Sequence, residues 1–136
     1  AGLVARSLRR LGVDARVGEV PREYCPGAWS VNARGRTKLA GIGQRLIAGG
    51  AHAGGVIVVS GSKLLREALE PVYDALELDW DPETAGSVED EVPGVDLERV
   101  EEAILAELGT EFSLTEAEID PETLAVAERL EGGHLA

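Results

Sequence analysis

Apolar positions recur along this chain with two different periods, and the change between them divides it. Val4, Leu8 and Leu11 have helical spacing and are followed by Gly12, which predicts a short amphipathic helix that stops at the glycine. Val13, Ala15 and Val17 then alternate as a strand does, and Pro21 closes it. Residues 29–33 and 37–47 are mixed and glycine-rich. Gly49-Gly50 reads as a turn between adjacent strands, and the unbroken run Val56-Ile57-Val58-Val59 reads as a strand buried on both faces. After Gly61 the period becomes helical. Leu65, Leu69, Val72 and Leu76 form one stripe, with Pro71 either bending that helix or opening a second one. Ser87 and Asp90 have the spacing of a capping pair. Asp96 caps a helix whose Leu97, Val100, Ile104 and Leu108 share a face and which Gly109 ends, and Asp120-Pro121 starts a last helix that runs through Leu130 to Gly132-Gly133. Strands come first and helices after, so the expected fold is α+β, a small mixed or antiparallel sheet with helices on one face.

Composition narrows the class. The chain has 136 residues, 44% of them hydrophobic, enough for one domain with a core of its own. It has a single cysteine and no apolar run of membrane-spanning length, so the expected setting is soluble, reducing and cytoplasmic, with no membrane partner. No methionine is present, which leads us to expect the carboxyl part of something longer. Charge is unevenly placed. Residues 1–66 carry eleven basic and three acidic side chains, whereas residues 67–136 carry two and 22, so a half of net +8 precedes one of net −20. The first half offers a basic surface to an anionic ligand or partner, and the second is a solvated cover of helices. Eleven of the thirteen basic residues are arginine, a balance that suits a salt-rich cytoplasm and also an ordinary acidic protein.

Candidate chemistry is concentrated in Tyr24-Cys25-Pro26-Gly27-Ala28-Trp29-Ser30 and in Gly35-Arg36-Thr37-Lys38-Leu39-Ala40-Gly41-Ile42-Gly43-Gln44-Arg45. A cysteine before Pro-Gly sits in a turn, where sulfur can face a cleft. If Arg36 and Lys38 approach that turn across paired strands, their charge favours the thiolate, the form that attacks a carbonyl carbon. The alternative is a cysteine buried as a small apolar residue. Lys38 is one of two lysines, and a lysine can polarise a carbonyl oxygen, sit on a phosphate or exchange a proton with an amine; otherwise it is a solvent-facing strand residue. Gly41 and Gly43 either admit a substrate or mark bulges. No Gly-Lys-Ser/Thr follows the glycine pairs, so there is no phosphate loop. His52, His134 and one cysteine do not make a zinc set, so no metal is expected. The basic half lacks interleaved aromatics, against nucleic-acid binding, and Trp29 and Trp80 read as core or rim residues.

Cys-Pro-Gly-x-x-Ser followed by Gly-Arg-x-Lys-Leu-Ala-Gly-Ile-x-Gln-Arg resembles the lipoate-protein ligase and octanoyltransferase family, whose catalytic domain is similar to that of biotin-protein ligases. The likeness is densest over residues 24–61 and continues more weakly over residues 84–108. It is greatest to the octanoyl amidotransferases, which move octanoate from the glycine-cleavage H protein to lipoyl domains of 2-oxoacid dehydrogenases. The resemblance implies that Cys25 is a nucleophile carrying the acyl chain as a thioester and that Lys38 contacts the acyl carbonyl. It further implies that Gly41, Gly43, Gln44 and Arg45 line the acyl pocket, with His52 and Gly54 standing for a His-x-Gly segment on the next strand. Residues 1–109 would be the carboxyl-terminal part of such a catalytic domain, and residues 110–136 an acidic helical tail. Nothing in residues 1–23 matches the arginine- and glycine-rich motif that closes the family's pocket, so a complementary amino-terminal half or subunit is implied as partner, besides lipoyl-domain proteins. The transferase needs no cofactor. An alternative is a lipoate-protein ligase that uses ATP and magnesium and passes through an adenylate, and another is a non-catalytic accessory subunit or lipoyl-domain binding module.

Overall fold

The computed structural model describes residues 1–133, so His134 lies outside the described residues. Helix α1 (Gly2–Arg10) leads into strands β1 (Ala15–Val17), β2 (Val31–Ala33), β3 (Thr37–Ile47) and β4 (Gly50–Ile57). Helix α2 (Ser62–Ala75), a 3-10 turn at Pro82–Thr84, and helices α3 (Val88–Glu91), α4 (Leu97–Leu108) and α5 (Pro121–Glu131) follow. The strands form an antiparallel meander in the order β1-β2-β3-β4, so the α+β expectation holds. The two hairpin turns are short, as antiparallel neighbours allow. The first places Arg34 and Gly35 at φ 56° and 72°, and the Asn32 side chain accepts the Gly35 N–H at 2.8 Å. Among the described residues no helix is long and apolar enough to cross a membrane.

Ala5 and Leu8 of α1, Ala15, Val31, Ala33, Leu39 and Ala40 of the sheet, and Val88, Val95 and Val100 beyond it make one buried cluster. A second cluster joins Tyr73 and Trp80, whose ring centroids lie 4.8 Å apart, to Ala85, with Tyr24, Leu65 and Leu69 at its margin. The caps read from sequence are present. Ser87 and Asp90 form a reciprocal capping box, and the Asp96 and Asp120 side chains accept the Arg99 and Thr123 N–H groups. Helix α5 buries no residue.

Three expectations are corrected. The run Val56–Val59 is not buried on both faces: Val56 is 71% exposed and β4 ends at Ile57. β4 is an edge strand, and most of its length pairs with the outer half of β3 as a ribbon beyond the core, so apolar content there has nothing to pack on. In α2 the covered stripe is Leu65, Leu69 and Tyr73, while Val72 and Leu76 face outward, and the helix passes through Pro71 without starting anew. In α4 the buried side is Val100, Ala103 and Glu107, with Leu97 exposed.

Glu107 is buried at the seam of α1 and α4, where its carboxylate takes the Arg10 guanidinium at 2.7 Å and also that of Arg6. Hydrogen bonds from Arg6, then Arg10, hold its carboxyl below the usual carboxylate range. A carboxylate depressed in the folded state stabilises the fold above its unfolded pKa, and that contribution disappears as pH falls through the folded value. Wild type should therefore be more resistant to urea than Glu107→Gln at pH 7, and the gap should close below about pH 4.

Candidate active site

The loop between β1 and β2 carries the cysteine, and its base is closed by the Gly18 N–H donating to the Ser30 carbonyl at 2.9 Å. Asn32 and Lys38 are cross-strand partners, so their side chains leave the same face of the sheet, and both take hold of this loop. Asn32 donates to the Gly18 carbonyl at 2.8 Å. Lys38 donates to the Cys25 carbonyl at 2.6 Å, the Tyr24 carbonyl at 2.9 Å and Glu23 Oε1 at 3.2 Å, and its ammonium lies 4.8 Å from the centre of the Tyr24 ring. An ammonium has three N–H donors and here all three are engaged. A further acceptor can reach the ammonium only by displacing one of these three.

Cys25 sits at the crest of the loop, exposed, with φ at 42°, a conformation a residue with a Cβ holds only under constraint from its surroundings. Part of that constraint comes from α2. Tyr73 accepts the Cys25 N–H at 2.7 Å, and its hydroxyl is 3.8 Å from Sγ. Burial pushes the phenols of Tyr73 and Tyr24 up, so both are neutral at pH 7. Arg22 pairs with Asp79 and donates to the Trp80 carbonyl, and the Arg22 carbonyl accepts the Asp81 N–H, which fastens the loop to the segment after α2.

A cavity of about 430 Å³ opens beside the crest. Its polar end holds Cys25, Ser30 and Lys38, and its walls are Tyr24, Gly41, Ile42, Val56, Val58 and Leu65. This is the size and character of a small-molecule site, apolar with a few convergent polar groups. At Gly41 a Cβ would meet Lys38 Cε at 3.5 Å, so glycine keeps the space over the lysine stem open.

The structure thus brings Cys25, Lys38 and Gly41 together. The remaining residues expected from sequence lie on the β3–β4 ribbon and are not among those that line the cavity. Gly43 and Gln44 border a smaller hollow of about 190 Å³ with Trp29 and Ala53, and Gly54 borders another with Leu3 and Val4. Arg45 and His52 face each other across the ribbon, exposed. Arg36 borders a polar hollow with Asp81, Glu83 and Thr84 rather than the cysteine turn. Sequence reasoning missed Glu23 and Tyr73. The rarity that drew attention to Lys38 applies equally to Glu23, one of three acids in the first 66 residues. No local signal marks Tyr73, whose contact with Cys25 spans 48 residues.

No protein-family model matches the sequence, and no curated protein matches it. Solved structures do. A Thermoplasma acidophilum protein described as a candidate lipoate protein ligase, with bound lipoic acid, superposes with a TM-score of 0.70 at 23% identity, covering 96% of this chain and 51% of its own. Lipoate-protein ligase A bound with ATP gives 0.67 at 22% identity, covering 94% and 50%. A bi-partite lipoate protein ligase from Thermoplasma acidophilum, studied with its E2 lipoyl domain, gives 0.64 at 23% identity, covering 94% and 49%. The fold is that of about half of each of these structures. The chain spans about half the length of these structures.

Proposed function

We propose that this chain contributes the nucleophile and the carbonyl-binding lysine to an enzyme that transfers an octanoyl or lipoyl group to a lysine of a lipoyl-domain protein. The observation that carries this reading is the joint presence of an exposed Cys25 and a buried Lys38 at the polar end of one apolar cavity. The walls would bury the hydrocarbon, each methylene contributing about 0.8 kcal/mol. The Cys25 thiolate attacks the carbonyl carbon of an acyl-lysine amide on a donor protein: a C–S bond forms, the C–N bond breaks, and the donor amine leaves with the proton the thiol gave up. The acceptor lysine then attacks the thioester, a new amide forms, and sulfur regains its proton. Lys38 donates to the acyl oxygen as charge develops on it. One amide is exchanged for another, so the reaction runs near equilibrium without ATP.

The solved structures favour one further reading, because one of them is a ligase with ATP bound. In that reading ATP and magnesium activate the free acid as an acyl-adenylate, Lys38 holds the adenylate and Cys25 is not a nucleophile. Labelling of a lipoyl domain separates the two. Transfer from octanoylated H protein without ATP, lost in Cys25→Ala, supports the transferase; ATP-dependent labelling with free lipoate that survives Cys25→Ala supports the ligase.

We further propose a complementary half or subunit as partner. The β3–β4 ribbon is exposed on both sides, with Leu46, Ile47 and Val56 all more than three-fifths uncovered, and the matching structures are twice as long. An apolar ribbon of this kind is what a missing half of a fold leaves behind.

A further inference from the structure

Of the three acids in the first 66 residues, only Glu23 is buried, and its side chain is wholly removed from solvent. Its carboxylate receives four hydrogens. The Val20 N–H donates to Oε2 at 3.1 Å; the Gly27 N–H at 3.2 Å, the Ser30 hydroxyl at 2.5 Å and the Lys38 ammonium at 3.2 Å all reach Oε1. Neutralising a buried charge requires one cation, and Lys38 supplies it. The other three donors come from both arms of the cysteine loop, so the carboxylate is also the post around which that loop is wound.

We infer that Glu23 is the positioning residue of this site, fixing the Lys38 ammonium and the Cys25 turn relative to each other. Glu23 does not border the cavity; it acts through what it holds. Lys38 is pinned from one side by Glu23 and from the other by the Tyr24 and Cys25 carbonyls, which closes a ring from the carboxylate through the ammonium to the cysteine backbone. That ring keeps Cys25 in its left-handed conformation. When a substrate carbonyl replaces the Cys25 carbonyl on Lys38, the Tyr24 carbonyl and Glu23 stay, and Glu23 is the charged one of the two, so the ammonium does not follow the turn as it yields. The part of this inference that concerns transfer rests on the proposed acyl chemistry.

Glu23→Gln is the direct test, since it keeps the shape and one acceptor oxygen but removes the charge. In this chain, hydrogen exchange at the Cys25 and Gly27 amides should accelerate by at least about tenfold, with α1 and α4 amides unchanged. Unchanged protection at those amides overturns the inference whatever the protein does. In the complete assembly, kcat for transfer should fall by about tenfold or more while KM for the lipoyl-domain acceptor stays put, and Glu23→Asp should recover part of it. Full kcat overturns the inference. If wild type accelerates no transfer at all, the proposed chemistry has failed, and the exchange measurement alone decides the hold of Glu23 on the turn. Should Glu23→Gln not fold, the Glu23→Gln/Lys38→Met protein replaces it. That protein should exchange its Gly27 amide at least about tenfold faster than Lys38→Met alone; equal protection in the two overturns the inference.

Discussion

Lys38→Met should cost roughly 3–5 kcal/mol of folding free energy, because it removes the one cation that pairs with a buried carboxylate among the described residues. The side chains of Lys38 and Glu23 are 3% and 0% exposed, so water cannot take the place of the lost partner. The Val20, Gly27 and Ser30 donors remain, and they solvate Glu23 without cancelling its charge. Two backbone carbonyls of the cysteine turn lose their donor as well. A domain of this size is held by about 5–15 kcal/mol in all, so the loss is a large fraction of the total. Urea unfolding followed by circular dichroism reads it directly as a lower midpoint with a similar slope. Replacing both members, as Glu23→Gln/Lys38→Met, should recover much of it, since no unpaired charge is then left inside. A single variant as stable as wild type would mean that the pair is wetter than its burial indicates.

Cys25→Ala should behave in the opposite way, with stability nearly unchanged and transfer gone. The residue is exposed and its sulfur is in reach of one weak donor, the Tyr73 hydroxyl at 3.8 Å, so the substitution should move stability by no more than about 0.5 kcal/mol. The Cys25 N–H that Tyr73 accepts belongs to the backbone and survives. Loss of the nucleophile should lower transfer by on the order of a thousandfold or more, measured as acylated lipoyl domain per unit time from an octanoylated donor. Cys25→Ser should recover little, because a hydroxyl at neutral pH is a far poorer nucleophile without a base against it. Transfer that continues in Cys25→Ala would assign the chemistry to an adenylate route.

What could be read from sequence divides along physical lines. The helix starts at Asp96 and Asp120 and the Ser87–Asp90 box were legible because a cap is settled within four residues of chain. The β3–β4 turn was legible from Gly49-Gly50 for the same reason. Depth was not. Val56 is as apolar as Val31, yet one is exposed on an edge ribbon and the other lies in the core, and only the position of the strand in the sheet distinguishes them. In α2 the stripe was displaced from Val72 to Tyr73 because Tyr73 meets Trp80 and the cysteine turn, neighbours that helical spacing cannot supply. At the site, Cys25 and Lys38 stood out by residue type and local turn chemistry, and the sheet register brings them together by placing Lys38 opposite Asn32 under the loop. Glu23 escaped notice because an acid in a polar loop looks like a solvated one until four donors are seen to converge on it. Gln44, Arg45 and His52 carry the chemistry of a binding strand, but they lie farther out along the ribbon than Gly41, Ile42 and Val56, which wall the cavity.

Cys25 as the acyl carrier is the claim on which the functional account turns, and intact mass spectrometry tests it most directly. The complete assembly is incubated with octanoylated H protein, quenched in acid and weighed, with hydroxylamine treatment of a parallel sample. This chain should gain the mass of one octanoyl group, lose it to hydroxylamine as a thioester does, and gain nothing as Cys25→Ala. A chain that stays unmodified while the lipoyl domain becomes acylated, or an adduct that persists in Cys25→Ala, would contradict it.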